Sequence, residues 1–261
     1  RRQRQMCIRD RPSILECFSS LLNKDAEIFP SYGATEAMPV AAIGSHTVLS
    51  KTRQLSEKGF GICVGPIIET VKARIIAISD DPILEWSDEL ALPKGEIGEI
   101  VVQGNLVTKS YFQRPADDRL GKIKHGGMFW HRMGDLGWFD KENRLWFCGR
   151  KSQRVNTAKE TLFTIPCEAI FNNHPDVFRS ALVGIGEAGQ QKPVICIELE
   201  KSGAPKSKKK IVEELSALAK GNAMTARIDT FLFHKSFPVD IRHNSKIFRE
   251  KLAQYAKKKI R

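Results

Sequence analysis

The sequence predicts a mixed α/β and α+β protein in two parts. Residues 59–150 fit a small, distorted, strand-rich barrel, and residues 151–261 fit a compact α+β lobe. Three observations carry this. Residues 59–150 hold apolar runs cut by glycine turns, the pattern of short antiparallel strands. Beyond residue 150, helical periods mix with only a few strands. The length of 261 residues suits one large or two small domains. Hydrophobic content of 41% and aromatics at 8% are ordinary for a globular chain.

Residues 1–11, RRQRQMCIRDR, have no period before Pro12 and read as a non-native leader. They resemble translated sequencing-adapter sequence and are set aside. Ser13 to Leu22 predicts a helix, with Leu15, Phe18, Leu21 and Leu22 at helical spacing. Ile28-Phe29-Pro30 predicts a short strand leading into Tyr32-Gly33-Ala34-Thr35-Glu36. That tight turn gathers a hydroxyl, a carboxylate and backbone N–H groups. A solvent-facing Thr-Glu turn explains these residues as readily as a phosphate site does. Ala73–Ser79 and the alternating Gly95–Gly104 predict strands.

The segment His131–Val155, HRMGDLGWFDKENRLWFCGRKSQRV, is the most informative. It reads as Gly134-Asp135, an apolar turn, an Asp140–Asn143 loop, a buried strand Leu145–Cys148, then Gly149-Arg150. With Gly134 and Gly137 on either side, Asp135 meets no crowding Cβ and can approach a ligand closely. Its two oxygens suit the neighbouring hydroxyls of a ribose. A β-hairpin with a structural Asp fits the same residues.

In the second part, Pro166 at a helix start and Cys167–Asn173 predict a helix ended by His174-Pro175. Arg179–Ile185, Val194–Glu200 and Ile228–His234 predict strands. Ser202–Lys210 is a polar loop, Ile211–Lys220 an amphipathic helix ended by Gly221, and Lys246–Lys258 the last helix. Gly184-Ile-Gly186-Glu-Ala-Gly189 spells a dinucleotide fingerprint, but a strand rather than a helix follows it. It is therefore a glycine hairpin.

Net charge is +12. Residues 1–11 contribute a net four, the Lys206–Lys210 run four, and the Lys257–Arg261 run four, which accounts for all of it. Basic runs without interleaved aromatics are solvated surface, so no nucleic-acid partner is expected. Six scattered cysteines without CxxC or zinc spacing read as reduced cytoplasmic thiols. No apolar run approaches the ~20 residues of a membrane helix, so no transmembrane segment is expected.

The ordered set YGATE (32–36), MGDLG (133–137), GRKSQRV (149–155) and PVDIRHNSKI (238–247) resembles the adenylate-forming (ANL) superfamily of acyl-CoA ligases, luciferases and adenylation domains. The resemblance covers the C-terminal portion of a typical member. It implies the end of the large AMP-binding domain over 12–150 and a small mobile domain over 151–261. The wording RMGDLGWFD, WFCGRKSQRV, IPCEAIF and FPVDIRHNSKIFREKLA is most like the β-lactone synthetases of bacterial long-chain olefin biosynthesis, often labelled fatty-acid CoA ligases.

The resemblance implies ATP and Mg²⁺ as cofactors and a small-molecule fatty-acid substrate, long-chain and β-hydroxylated. Glu36 would be the metal ligand, Thr35 a phosphate donor, and Tyr32 a neighbour of the adenine ring. Gly33 and Ala34 would complete the nucleotide loop, Asp135 and Arg150 would grip the ribose, and Lys246 would be the active-site lysine. Partner enzymes of a lipid or olefin pathway go with it. The final acceptor stays open between an internal hydroxyl, coenzyme A and a carrier protein. The family's upstream phosphate loop has no counterpart in these residues, so this portion alone is expected to be inactive. An inactive nucleotide-binding fragment and a basic binding module are the readings from other classes. Ser152 stands where many members have Asp or Lys, at the hinge implied beside Arg150.

Overall fold

Apolar runs and glycine turns build two units in the computed structural model, which describes residues 12–23, 25–201, 207–240 and 246–260. One unit comprises Pro12–Arg53 and Gly61–Ser152, and the other Gln54–Phe60 and Gln153–Arg261; residues 1–11 lie outside the described residues.

The first unit opens with α1 (Pro12–Ser19), shorter than the helix predicted to Leu22. Leu15 is buried, whereas Leu21 is 76% exposed, so nothing apolar holds the last turn. Ile28–Pro30 belongs to no strand, although Ser45 N–H donates to Ile28 O at 2.8 Å. Pairing starts one residue later, in β1 (Ser31–Ala34), whose partner is β2 (Ala37–Ala42).

The larger sheet contains β3 (Ile62–Pro66), β4 (Val71–Ile76), β5 (Gly98–Gly104), β6 (Lys122–His125), β7 (Met128–Phe139) and β8 (Arg144–Arg150). Its order is β3-β8-β7-β5-β4, with β6 also on β7, and every pairing is antiparallel. It forms a strand-rich, curled half-barrel. β5 does not alternate. Its first six residues are all buried, so both faces are covered. Helix α2 (Pro115–Gly121) precedes β6.

The predicted apolar turn after Asp135 is instead the middle of a twelve-residue strand, β7. The chain turns only at Asp140–Asn143. There Asp140 accepts from the backbone N–H of Glu142 and Arg144, from Arg144 Nε at 2.7 Å and from Trp146 Nε1 at 2.8 Å. Trp146 is fully buried and stacks on Trp138 at 5.6 Å.

In the second unit, β9 (Val155–Asn156) and β10 (Thr161–Leu162) form a small ladder. A three-stranded sheet follows, of β11 (Val177–Ile185), β12 (Lys192–Leu199) and β13 (Phe231–Phe233). The glycine run joins the antiparallel β11 and β12 as a hairpin. Helices α3 (Thr164–Asn172) and α4 (Lys208–Lys220) cover one face, packing Phe171, Ile211 and Leu215 on Leu182, Ile195 and Ile197. Helix α5 (Arg249–Lys259) covers the other, packing Leu252 and Ala256 on Ala181, Val183 and Cys196. A sheet buried on both faces reads as continuous apolar sequence, as Ala181-Leu-Val and Val194-Ile-Cys-Ile do.

The last helix starts at Arg249, not Lys246 as predicted. Ile247 makes a bridge to Val239, and Phe248 N–H donates to Pro238 O at 2.9 Å, which keeps this stretch extended. Asn244-Ser245, whose side chains favour a turn or helix cap, lies outside the described residues. Among the described residues no helix is long and apolar enough to cross a membrane.

Candidate active site

Tyr32–Glu36 forms most of one strand and the tip of a hairpin. Ala34 pairs with Ala37, and Thr35-Glu36 is the two-residue turn. Gly33 is required by space, since a Cβ there would sit 2.6 Å from Ala37 O. Thr35 is exposed and Glu36 is half-buried.

Asp135 stands directly opposite Arg150 on the paired strands β7 and β8. Arg150 Nε lies 3.1 Å from Asp135 Oδ1, and the Tyr32 hydroxyl donates to Asp135 Oδ2 at 2.7 Å. The Asp135 side chain is 3% exposed and that of Arg150 is 52% exposed. The carboxylate is thus fixed from within, while the guanidinium reaches water. Tyr32 itself is 1% exposed, with its ring 6.0 Å from that of Phe147. Tyr32 thus supports Asp135 from within the unit.

The flanking glycines also act differently from expectation. Gly134 has φ of 64°, a left-handed conformation that favours glycine. A Cβ at Gly137 would lie 2.5 Å from Trp146 O, so that glycine admits the neighbouring strand.

A second set of residues surrounds Glu36. The Tyr111 hydroxyl donates to Glu36 Oε1 at 2.9 Å, and Thr108 N–H donates to Glu36 O at 2.8 Å. Lys122 Nζ donates to the Thr108 carbonyl, and to Thr108 Oγ1 at 3.1 Å. Tyr111 N–H donates to Asp118 Oδ1 at 2.8 Å. Burial alone would raise the Glu36 carboxyl. The Tyr111 hydroxyl and the positive field of its neighbours outweigh that and hold it below the ordinary value. Glu36 is therefore an anionic oxygen donor.

His131 closes this group. It is 2% exposed, and a carbonyl can only accept, so the 3.0 Å contact with Gly121 O puts the ring proton on Nδ1. Burial, then the Lys122 charge, push its pKa down to about 4. The missed signal is the set of charged and imidazole residues in two paired strands, Lys122, Lys124 and His125 opposite His131 and its neighbours.

Because an unfolded histidine protonates near 6.5, protons favour the unfolded chain between there and about 4. Stability contributed by a neutral His131 should be intact above pH 6.5 and lost as pH falls toward about 4. Urea unfolding at stepped pH should show this fall, and His131→Gln should flatten it. An equal slope in the variant would mean that His131 is not the group responsible.

Beside this set lies a cleft of about 330 Å³ whose lining includes Glu99, Tyr111, Arg114, Asp117, Arg132 and Lys151. Glu99 is buried with two cations. Arg132 Nη2 lies 2.7 Å from its Oε2, and Lys151 Nζ 3.1 Å from its Oε1.

Lys246 belongs to the second unit and is exposed. Its carbonyl accepts from Asp240 N–H at 3.0 Å, and it precedes the Val239–Ile247 bridge. Helix α5 behind it is anchored by Arg249, whose Nη2 lies 2.7 Å and 2.8 Å from the two Glu168 oxygens.

His174, Asp176 and Glu214 bring donor atoms within 4.8 Å of one another. Both ring nitrogens are engaged: Nε2 with Glu214 at 2.8 Å, and Nδ1 accepting from Asp176 N–H at 3.1 Å. That arrangement fastens the end of α3 to α4. Cys17, Cys63, Cys148, Cys167 and Cys196 are all free.

No family model matches the chain. Over 250 residues, 94% of the chain, it is 48% identical to an olefin β-lactone synthetase of Xanthomonas campestris pv. campestris and 45% identical to one of Stenotrophomonas maltophilia. Each match covers 45% of the relative, so the chain spans under half the length of these relatives. A 2-succinylbenzoate–CoA ligase of Geobacillus kaustophilus is 33% identical over 42% of the chain and 22% of its own length. The amide bond synthetase McbA from Marinactinospora thermotolerans shares the fold with a TM-score of 0.71 at 21% identity, over 94% of this chain and 45% of that one. O-succinylbenzoate coenzyme A synthetase (MenE) from Bacillus subtilis, solved in complex with AMP, does so with a TM-score of 0.67 at 23% identity, over 93% of this chain and 43% of that one. The chain belongs to the adenylate-forming ANL superfamily and corresponds to the C-terminal portion of its olefin β-lactone synthetases.

Proposed function

We propose that the protein activates a long-chain β-hydroxy fatty acid with ATP and closes the acyl-adenylate to a β-lactone. The observation that carries the nucleotide part is Asp135, a buried carboxylate held between Tyr32 and Arg150. The olefin β-lactone synthetases at 48% and 45% identity carry the choice of product. In the first step the substrate carboxylate oxygen attacks the α-phosphorus, and the bond to the β-phosphate breaks to release pyrophosphate. In the second the β-hydroxyl oxygen attacks the acyl carbon, gives up its proton, and AMP leaves with the bonding pair.

Both reactants of the first step are anions, so catalysis rests on neutralising charge more than on acid–base chemistry. Asp135 would accept from the ribose hydroxyls, with Arg150 beside it. Thr35 would donate to a phosphate oxygen. Lys246, a compact mobile cation, would stabilise charge developing at the α-phosphate. Gly33 and Ala34 would shape the hairpin that presents Thr35 and Glu36. Glu36 fits a magnesium ligand, being an anionic oxygen donor on an accessible turn. When bound, Mg²⁺ would neutralise phosphate charge. The small domain, from about residue 151 onward, would turn between the half-reactions about Arg150-Lys151-Ser152.

A second product reading, transfer to coenzyme A, is supported by the CoA ligases among the relatives. Incubating the full-length gene product with β-hydroxy acid and ATP, with and without coenzyme A, decides between them. A product short of one water, formed without coenzyme A, is expected. A thioester formed only with coenzyme A would replace the lactone, and no AMP under either condition would sink adenylation. Free cysteines and the small-molecule chemistry fit a cytoplasmic enzyme supplying a lipid or olefin pathway.

In the same protein, Asp135→Ala should weaken ATP binding by about 1–3 kcal/mol, because ribose hydroxyls lose their buried acceptor. Calorimetry on a variant that still folds checks this. Unchanged affinity would remove Asp135 from the ribose site.

A further inference from the structure

We propose that Tyr111 and Lys122 are positioning residues that hold the Thr108–Tyr111 loop against the β1–β2 hairpin and so present the Glu36 carboxylate in one orientation. The inference rests on the reading of Glu36 as the magnesium ligand and goes beyond it, to the residues that aim that ligand. Glu36 sits at the tip of a two-residue turn, where a carboxylate would otherwise sample several rotamers. Two contacts from one loop restrain it: the Tyr111 hydroxyl on Oε1 at 2.9 Å, and Thr108 N–H on the Glu36 carbonyl at 2.8 Å. The loop is itself clamped from behind. Lys122 Nζ donates to both the carbonyl and the hydroxyl of Thr108, and lies 5.5 Å from the Tyr111 ring centroid. Asp118 accepts from Tyr111 N–H at 2.8 Å.

A lysine at 6% exposure is costly unless its N–H donors are satisfied. Here two of its contacts go to one loop residue. The donor from Tyr111 engages one Glu36 oxygen, Oε1, as an outer partner of a metal-binding carboxylate does. Losing such partners costs about 10–100-fold in metal affinity.

The test uses Mn²⁺ as a spectroscopic substitute for Mg²⁺. In the full-length gene product with ATP present, bound Mn²⁺ is followed by electron paramagnetic resonance for the parent, Glu36→Gln, Tyr111→Phe and Lys122→Met. Tyr111→Phe and Lys122→Met should each raise the half-saturating Mn²⁺ concentration by about tenfold, with the KM for the fatty acid unchanged. Glu36→Gln should raise it further. If Glu36→Gln shifts the curve and the other two do not, the positioning role is overturned and Glu36 stands as a ligand. If Glu36→Gln shifts nothing, the metal reading falls and this inference with it. Should Lys122→Met lower the melting temperature sharply, Tyr111→Phe, which keeps the ring, decides alone.

Discussion

Replacing Glu99 by alanine is expected to destabilise its unit by about 3–5 kcal/mol, the usual cost of removing one partner from a buried ion pair. The Glu99 and Arg132 side chains are 1% and 2% exposed. Arg132 Nε and Nη2 donate to Glu99 Oε2 at 3.2 Å and 2.7 Å, while Nη1 donates to the carbonyls of Asp81 at 2.7 Å and Leu120 at 3.2 Å. These bonds fix the guanidinium between β5, β7 and the loop after β4. Without Glu99 a guanidinium that is 2% exposed loses its paired carboxylate. Lys151, 19% exposed and also donating to Ser79 O at 2.8 Å, can relax into solvent. Arg132 is therefore the expected source of most of the loss. Urea unfolding of Glu99→Ala measures it. The double variant Glu99→Leu with Arg132→Met should recover much of the stability, since apolar replacement of a whole buried pair is often neutral. A loss under about 1 kcal/mol in the single variant would show that the pair is not held as buried charge.

This ion cluster illustrates what sequence patterns do not carry. Leu145–Cys148 and Val194–Ile197 are legible as strands because continuous apolar sequence must be covered on both faces. The Asp140–Asn143 turn is legible because Asp and Asn bond their own backbone. Glu99 and Arg132, by contrast, sit in strands otherwise built of apolar residues and are 33 positions apart. Only the pairing of β5 with β7 brings them together. The same holds for Tyr32 and Asp135, 103 positions apart. Their motifs were visible separately, but the bond between them was not. Tyr111, Lys122 and His131 escaped a role for a related reason: each contacts Glu36 or its loop only through tertiary pairing. Helix ends failed where a tertiary contact competed with local preference. Ile247 bridges Val239 instead of starting α5, and Leu21 finds no apolar partner to extend α1.

Lys246→Ala should reduce ATP–pyrophosphate exchange by about 10²–10³-fold, the loss that follows removal of one transition-state donor. The local structure suits that role. Lys246 is exposed and is immediately followed by the Val239–Ile247 bridge and then α5. Arg249, bidentate on Glu168, ties the start of the helix to α3. The backbone at and after the lysine is thus hydrogen-bonded while the residue itself is exposed. An ordinary solvated lysine would have the same exposure, and the half-reactions separate the two roles. A charge that stabilises attack on the α-phosphorus has no part in cleaving an acyl-adenylate already formed. Given synthetic β-hydroxyacyl-adenylate, Lys246→Ala should still release AMP and product near the parent rate. Lys246→Arg should not restore full exchange, because a planar guanidinium does not place its charge where a compact ammonium does. If exchange survives the alanine substitution, or if both half-reactions fall together, Lys246 is a surface lysine or a structural one, and the adenylation step must draw its positive charge from elsewhere in the protein.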